Sequence, residues 1–258
     1  MLTSASSMAF DIRNDRIHDM RKPLSASLIF LALSVSVQTA ATQILSPMAP
    51  AQSAYVTSAQ VDVMKLLPPP PALQSEEQKR DIDNLLAIQK ARTPAQEQRA
   101  LADATSGTFG FADVLGPKFT AVAVPKLALL IDKIRGDGAA VENAGKDNWK
   151  RPRPYETSKD IHAVGDLPKS SSYPSGASTA GYLTAIVLAN MIPEKTAALF
   201  ARGREAGYNR LVLGVHYPTD VEAGRLLATA VATALFQNPA FLKDFEDAKT
   251  EVRKALGF

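Results

Sequence analysis

Apolar residues recur at helical spacing through most of this chain, and no run alternates apolar and polar positions as a strand would. Ser75-Glu76-Glu77-Gln78 is a capping box, in which side chains satisfy free amides at a helix start. It predicts a helix over residues 76–92 with Ile82, Leu85, Leu86 and Ile88 on its apolar side. Thr93-Pro94 caps and starts the next, since proline has the φ of a first helical position and lacks an N–H that would go unpaired there. That helix should end near Ser106-Gly107. Residues 108–116, aromatic and glycine-containing, read as a packed loop. Pro117 should open a helical run that Pro125 kinks or splits, and Gly136-Asp137-Gly138 should stop it. Residues 139–150 should be helical again until Pro152 and Pro154.

Residues 155–172 show no strong period and predict a long loop, a length often tied to function. Ser175 or Ser178 then caps a helix through Met191 whose positions are almost all apolar or small, the pattern of a helix buried on every side. Pro193 should start a helix through about Arg210, and Pro218 another through Phe236. Asn238-Pro239 should start the last, with Phe241, Leu242, Phe245, Ala248, Val252 and Leu256 on one face. The four prolines 68–71 read as a stiff extended connector. The predicted fold class is all-α, a helical bundle around one buried central helix.

The chain has 258 residues, 46% hydrophobic and 21% charged, which suits one globular domain over residues 42–258. A net charge of +3 is too small to argue for nucleic-acid binding, and with no cysteine there are neither disulfides nor thiolate metal sites. Arg21 and Lys22 precede an apolar run from Leu24 to Val37 and then small residues, the order of a secretory signal peptide. The run is too short for an ordinary membrane span. The signal is taken as residues 1–41, with cleavage between 41 and 54 and Met20 a compact start; the expected location is periplasmic. No stable membrane span is expected in the mature form.

Cleaving a phosphate ester with a side-chain nucleophile, without a metal or cofactor, needs fixed cations, a nucleophile in line and an acid for the leaving group. Lys146, Arg153 and Arg210 can supply charge, and arginine's planar fork matches phosphate. Ser175 and Gly176 stand at a helix start, where unpaired amides favour an anion. His216 is the candidate nucleophile, and Asp220, four residues on, can take its other ring N–H and fix the tautomer.

Lys146 with Arg153-Pro154 seven residues on, then Pro174-Ser175-Gly176, then Arg210 with His216 and Asp220, resembles the three-part signature of the type 2 phosphatidic acid phosphatase (PAP2) superfamily. The Leu66-Leu67 and four-proline entry, Tyr173-Pro174-Ser175-Gly176 and Asn238-Pro239-Ala240-Phe241 further resemble the soluble bacterial class A non-specific acid phosphatases. The resemblance implies a helical fold shared with vanadium haloperoxidases and hydrolysis of small phosphorylated substrates through a phospho-histidine. It also implies phosphate binding by Lys146, Arg153, Arg210, Ser175 and Gly176, and a tendency to form homo-oligomers.

Two positions depart from that signature. Asn209 stands where serine is usual, and it can still donate a hydrogen bond. Ala177 stands where the family has the histidine that protonates the leaving group, and alanine transfers no proton. The expectation is an attenuated acid phosphatase, one that favours activated or anhydride phosphates, or one in which His162, Asp160 or Asp166 from the preceding loop serves instead. His18 lies in the presequence and is set aside. The alternative functions are a phosphate-binding protein that kept the cradle and vanadate-dependent halide oxidation.

Overall fold

The computed structural model describes residues 53–258, and every regular element among them is helical. The signal-peptide segment lies outside the described residues. The α-helices are α1 (Val63–Leu66), α2 (Glu76–Ala91), α3 (Pro94–Ser106), α4 (Ala112–Leu115), α5 (Pro125–Trp149), α6 (Pro154–Thr157), α7 (Gly176–Met191), α8 (Thr196–Val212), α9 (Pro218–Leu235) and α10 (Pro239–Leu256). The predicted caps form, but the box at Ser75 is one-sided: Ser75 Oγ accepts from the Gln78 amide while the Gln78 side chain turns to Arg151; Thr93 and Gln96 make a reciprocal box, and Asn238 Oδ1 accepts from Ala240 and Phe241.

The central helix is α7. Leu183, Val187, Leu188 and Met191 are fully buried, and α5, α8 and α9 pack around it. Small residues set how close these helices come. A Cβ on Gly203 of α8 would lie 2.9 Å from Ala185 Cβ and 3.1 Å from the Gly181 carbonyl oxygen on α7. A Cβ on Gly207 would lie 2.8 Å from Val221 on α9. This close approach brings the start of α7 beside the end of α8 and the start of α9. The three helix ends that carry the candidate residues are thereby gathered at one place.

Several predicted boundaries move. Gly136-Asp137-Gly138 does not stop a helix, because α5 runs unbroken for 25 residues. Two glycines cost such a helix about 1 kcal/mol each relative to alanine. Tertiary contacts outweigh that: Asp137 accepts from the amides of Ala54, Tyr55 and Val56 at 2.7, 2.8 and 2.9 Å, and Gly138 lies against Leu183 and Thr179. Pro125 starts α5 rather than kinking it, since Val124 before it is held out of the helical region (φ −134°). Residues 117–124 are turns, and residues 107–115 are not a loop but a 3₁₀ turn followed by α4. The loop after Pro154 begins with one helical turn, α6. Pro193 begins a 3₁₀ turn that feeds α8, which extends past Arg210 to Val212. The four prolines form no helix or strand, and the Pro68 carbonyl accepts from the Tyr173 hydroxyl at 2.8 Å.

Replacing Gly203 with valine should force α7 and α8 apart and destabilise the protein by about 1–3 kcal/mol, the usual cost of overpacking. Denaturant unfolding checks this, and an unchanged midpoint would contradict the close-packing account.

Candidate active site

The site forms where α7 and α9 begin and α8 ends. Asp220 is the third residue of α9 and is completely buried. Its carboxylate is met by donors from every side. Oδ1 accepts from Arg151 Nη1 at 2.6 Å, while Oδ2 accepts from the Tyr217 amide at 2.9 Å and from the Ser172 hydroxyl. His216 Nδ1 lies 3.2 Å from Oδ2. Burial alone would raise the Asp220 carboxyl, but the His216, Arg151 and Ser172 contacts together hold it below the usual carboxylate range.

The other ring nitrogen, His216 Nε2, is 2.8 Å from Arg153 Nη1. A guanidinium only donates, so Nε2 must be the unprotonated nitrogen and Nδ1 must carry the hydrogen toward Asp220. Burial pushes the imidazole down to about 4 against the pull of Asp220, and the charges of Arg153 and Arg210 act in the same direction as burial. The ring is therefore neutral at ordinary pH, with a lone pair on the nitrogen that faces the cations.

Arg153 is buried and held by carbonyl oxygens rather than carboxylates: Val215 at 2.8 Å, Ser170 at 2.9 Å and Ser171 at 3.1 Å. Its charge is thus positioned but not cancelled. Burial lowers the pKa of Arg210, and the charge of Arg153 lowers it further. Arg210 Nε is buried with no partner among the described residues. Two like charges placed this way favour an anion between them.

Lys146 is buried and paired with Glu142, Nζ to Oε1 at 2.7 Å. The Glu142 carboxylate lies against Gly176, where any Cβ would collide with it. Burial raises the Glu142 pKa, while Lys146 and then Arg153 oppose the rise. Glu142 was not among the sequence candidates, although its place four residues before Lys146 on one helix face was a visible signal.

Ser175 is the buried N-cap of α7, and its Oγ accepts from the Ser178 amide at 3.4 Å. The Ser175 amide is spent on the Asp220 carbonyl at 3.0 Å, so the expectation that the Ser175 and Gly176 amides are both unpaired is corrected. The Gly176 and Ala177 amides remain without acceptors among the described residues, as first-turn amides do. Asn209 Nδ2 donates to Asp103 at 3.0 Å, so it supports a second ion pair, Arg202 with Asp103, instead of the cradle.

Arg151 is the main residue that sequence reasoning missed. Its guanidinium lies 3.9 Å over the Tyr217 ring and bonds Asp220, Thr219 (2.7 Å) and Asp81 (2.8 Å). The signature spacing from Lys146 singled out Arg153, and nothing local to Arg151 pointed to partners on α2 and α9. Ser172, whose hydroxyl reaches Asp220, was likewise read as plain loop.

Ala177 is half-buried and lines a cavity of about 200 Å³ with Arg135, Arg202, Asn209 and Arg210. None of the three substitute acids joins it there. His162, Asp160 and Asp166 are all exposed and line neither cavity beside the start of α7. The His162 peptide is tied to Gln89 and Arg92 on the far side of its loop, through its amide at 2.7 Å and its carbonyl at 3.1 Å. Among the described residues no group of three or more His, Cys, Asp or Glu side chains could hold a metal ion. No helix among them is long and apolar enough to cross a membrane.

The PAP2 superfamily pattern matches residues 129–243, which contain every candidate residue. A non-specific acid phosphatase of Providencia stuartii is 30% identical over 210 residues, covering 78% of this chain and 85% of that protein. An acid phosphatase of Zymomonas mobilis is 32% identical over 206 residues, covering 75% and 76%. Among solved structures, a bacterial vanadium-dependent iodoperoxidase matches with a TM-score of 0.52 at 16% identity, over 66% of this chain and 51% of that one, a likeness of fold alone. The chain belongs to the PAP2 superfamily, alongside the bacterial acid phosphatases.

Proposed function

We propose that this protein is an exported acid phosphatase that hydrolyses phosphate monoesters through a phospho-histidine on His216, and that it is attenuated toward poor leaving groups because Ala177 replaces the acid. The observation that carries this reading is the His216 ring itself. Its Nδ1–H is held by Asp220 and its Nε2 lone pair faces Arg153. Arg153, Arg210 and Lys146, with the Gly176 and Ala177 amides and the Ser175 hydroxyl, receive the phosphoryl oxygens. Nε2 attacks phosphorus, the P–O ester bond breaks, and its electron pair leaves on the ester oxygen. Water then attacks the phospho-histidine, the N–P bond breaks, and orthophosphate leaves with Nε2 restored. The secretory pattern of residues 21–41 supports export to a periplasm.

Losing a general acid typically costs about 10²–10⁴ in rate, most where the leaving alkoxide is basic. Nitrophenyl phosphate should therefore be hydrolysed readily and glycerol phosphate poorly. The cavity beside Ala177 has room for an imidazole, so Ala177→His should gain about 10²-fold or more on glycerol phosphate and far less on nitrophenyl phosphate. An equal gain on both would refute the missing-acid account. No turnover by either protein, with phosphate raising the melting temperature, would favour a phosphate-binding protein.

Labelled substrate, quenched in acid during turnover, should leave label on the parent protein and none on His216→Ala. Label on the variant would overturn the phospho-histidine route.

The His216 imidazole should titrate near 4 when followed by NMR, well below the ordinary histidine value. The folded state then binds fewer protons than the unfolded chain between about pH 6.5 and 4, so His216 withdraws stability as pH falls through that window. A His216 titration near the ordinary histidine value would show that the ring is not buried as described.

A further inference from the structure

One cation beside the site is left over. Arg135 sits on α5 with Glu142 seven and Lys146 eleven residues later, which places all three within about 20° of one helix face. Lys146 is paired with Glu142, whereas Arg135 makes no hydrogen bond or ion pair among the described residues. Only the charge of Asp132, three residues before it, offsets its burial. Arg135 lines two cavities at once. One is the cavity of about 200 Å³ that also holds Ala177 and Arg210. The other, of about 400 Å³, also holds Glu142 and Gly176. A half-buried guanidinium without an ion pair among the described residues thus shares a cavity with the position where the leaving group's proton donor is missing.

These facts bear on one question, which is what can leave without receiving a proton. A leaving group that is itself a phosphate departs as a stable anion, and what it needs is positive charge. We propose that the preferred substrates carry the scissile phosphoryl group on a second phosphate, as in pyrophosphate or a terminal diphosphate, and that Arg135 binds the leaving phosphate. The inference rests on the phosphatase reading above. Nε2 of His216 forms the N–P bond to the terminal phosphorus, and the bridging P–O bond breaks with its electron pair moving to the bridging oxygen. That oxygen becomes part of the departing phosphate, whose added charge Arg135 neutralises. Water then cleaves the N–P bond as before, so each turnover consumes one water and releases two phosphate groups. Asp103 and Glu142 are each already held by another cation, and Asp132, which lines the second cavity with Arg135, is exposed and makes no ion pair with it.

The test is kcat/KM for inorganic pyrophosphate, glycerol phosphate and nitrophenyl phosphate with the parent protein, Arg135→Gln and Arg135→Lys. The parent should favour pyrophosphate over glycerol phosphate by about 10² or more, the scale set by an absent general acid. Arg135→Gln should lose about tenfold or more on pyrophosphate, the scale of removing one charge stabiliser, with a several-fold smaller loss on nitrophenyl phosphate. Arg135→Lys should recover part of the pyrophosphate activity. Equal losses on pyrophosphate and nitrophenyl phosphate, or a parent as fast on glycerol phosphate as on pyrophosphate, would overturn the proposal. If the parent hydrolyses nitrophenyl phosphate but not pyrophosphate, this inference fails while the phosphatase reading stands. If it hydrolyses none of the three, both fail.

Discussion

A carboxylate with no surface in contact with water survives ionised only if donors converge on it, because an unpaired buried charge is prohibitively costly. Asp220 is that carboxylate, and the chain around the site is arranged to supply its donors. Arg151 comes from the segment after α5, Ser172 from the loop before α7, and the Tyr217 amide and His216 ring from the turn before α9. Arg151 is fixed in turn by Gln78 and Asp81 of α2, so a helix remote from the cradle sets the angle of the histidine. One residue thereby serves as helix cap, buried counter-charge and partner of the His216 ring.

The same region tolerates the opposite imbalance a few ångströms away. Arg153 is surrounded by carbonyl dipoles, and Arg210 keeps a buried nitrogen without a partner. Carboxylates there would make the free protein more comfortable but would cancel the field an anion needs. Glu142 is the exception, and it marks where the balance was struck. It neutralises Lys146 while lying against Gly176, which has no side chain to occupy that space. The site is therefore net cationic on the side of Arg153 and Arg210 and nearly neutral on the side of Lys146.

Much of this was legible in the chain. Ser75, Thr93, Ser175 and Asn238 announce their helices because caps and prolines act locally. His216 and Asp220, four apart, meet because the chain turns into α9 between them. Gly136-Asp137-Gly138 misled because local propensity argued for a break, whereas the reward for continuing came from residues 54–56 and from α7, distant in sequence. The apolar stripe of α5 in fact stays in phase across those glycines, from Ile134 through Gly138 and Val141 to Gly145. Arg151 and Arg153 are alike in type and each precedes a proline, and the spacing of Arg153 from Lys146 in the PAP2-like signature is what singled it out. In the structure Arg151 meets carboxylates from α2 and α9, while the Arg153 guanidinium meets carbonyls, the Ser170 hydroxyl and a histidine. The partners of Arg151 come from elements distant in sequence, which is why its part in the site was not legible.

In the proposed function Ala177 separates anion binding from proton transfer. The first-turn amides of residues 176 and 177 are the groups proposed to bind the anion, and an amide is the same whichever side chain follows it. An alanine at residue 177 would therefore keep those amides and supply no proton. The space it leaves stays polar and cationic, bordered by Arg135 and Arg210. A proton donor lowers the barrier for a leaving group that is a strong base, while fixed positive charge does so for one that leaves as a weak base. With the first device absent and the second present at one position, the chemistry this cradle can complete is set by the basicity of what departs.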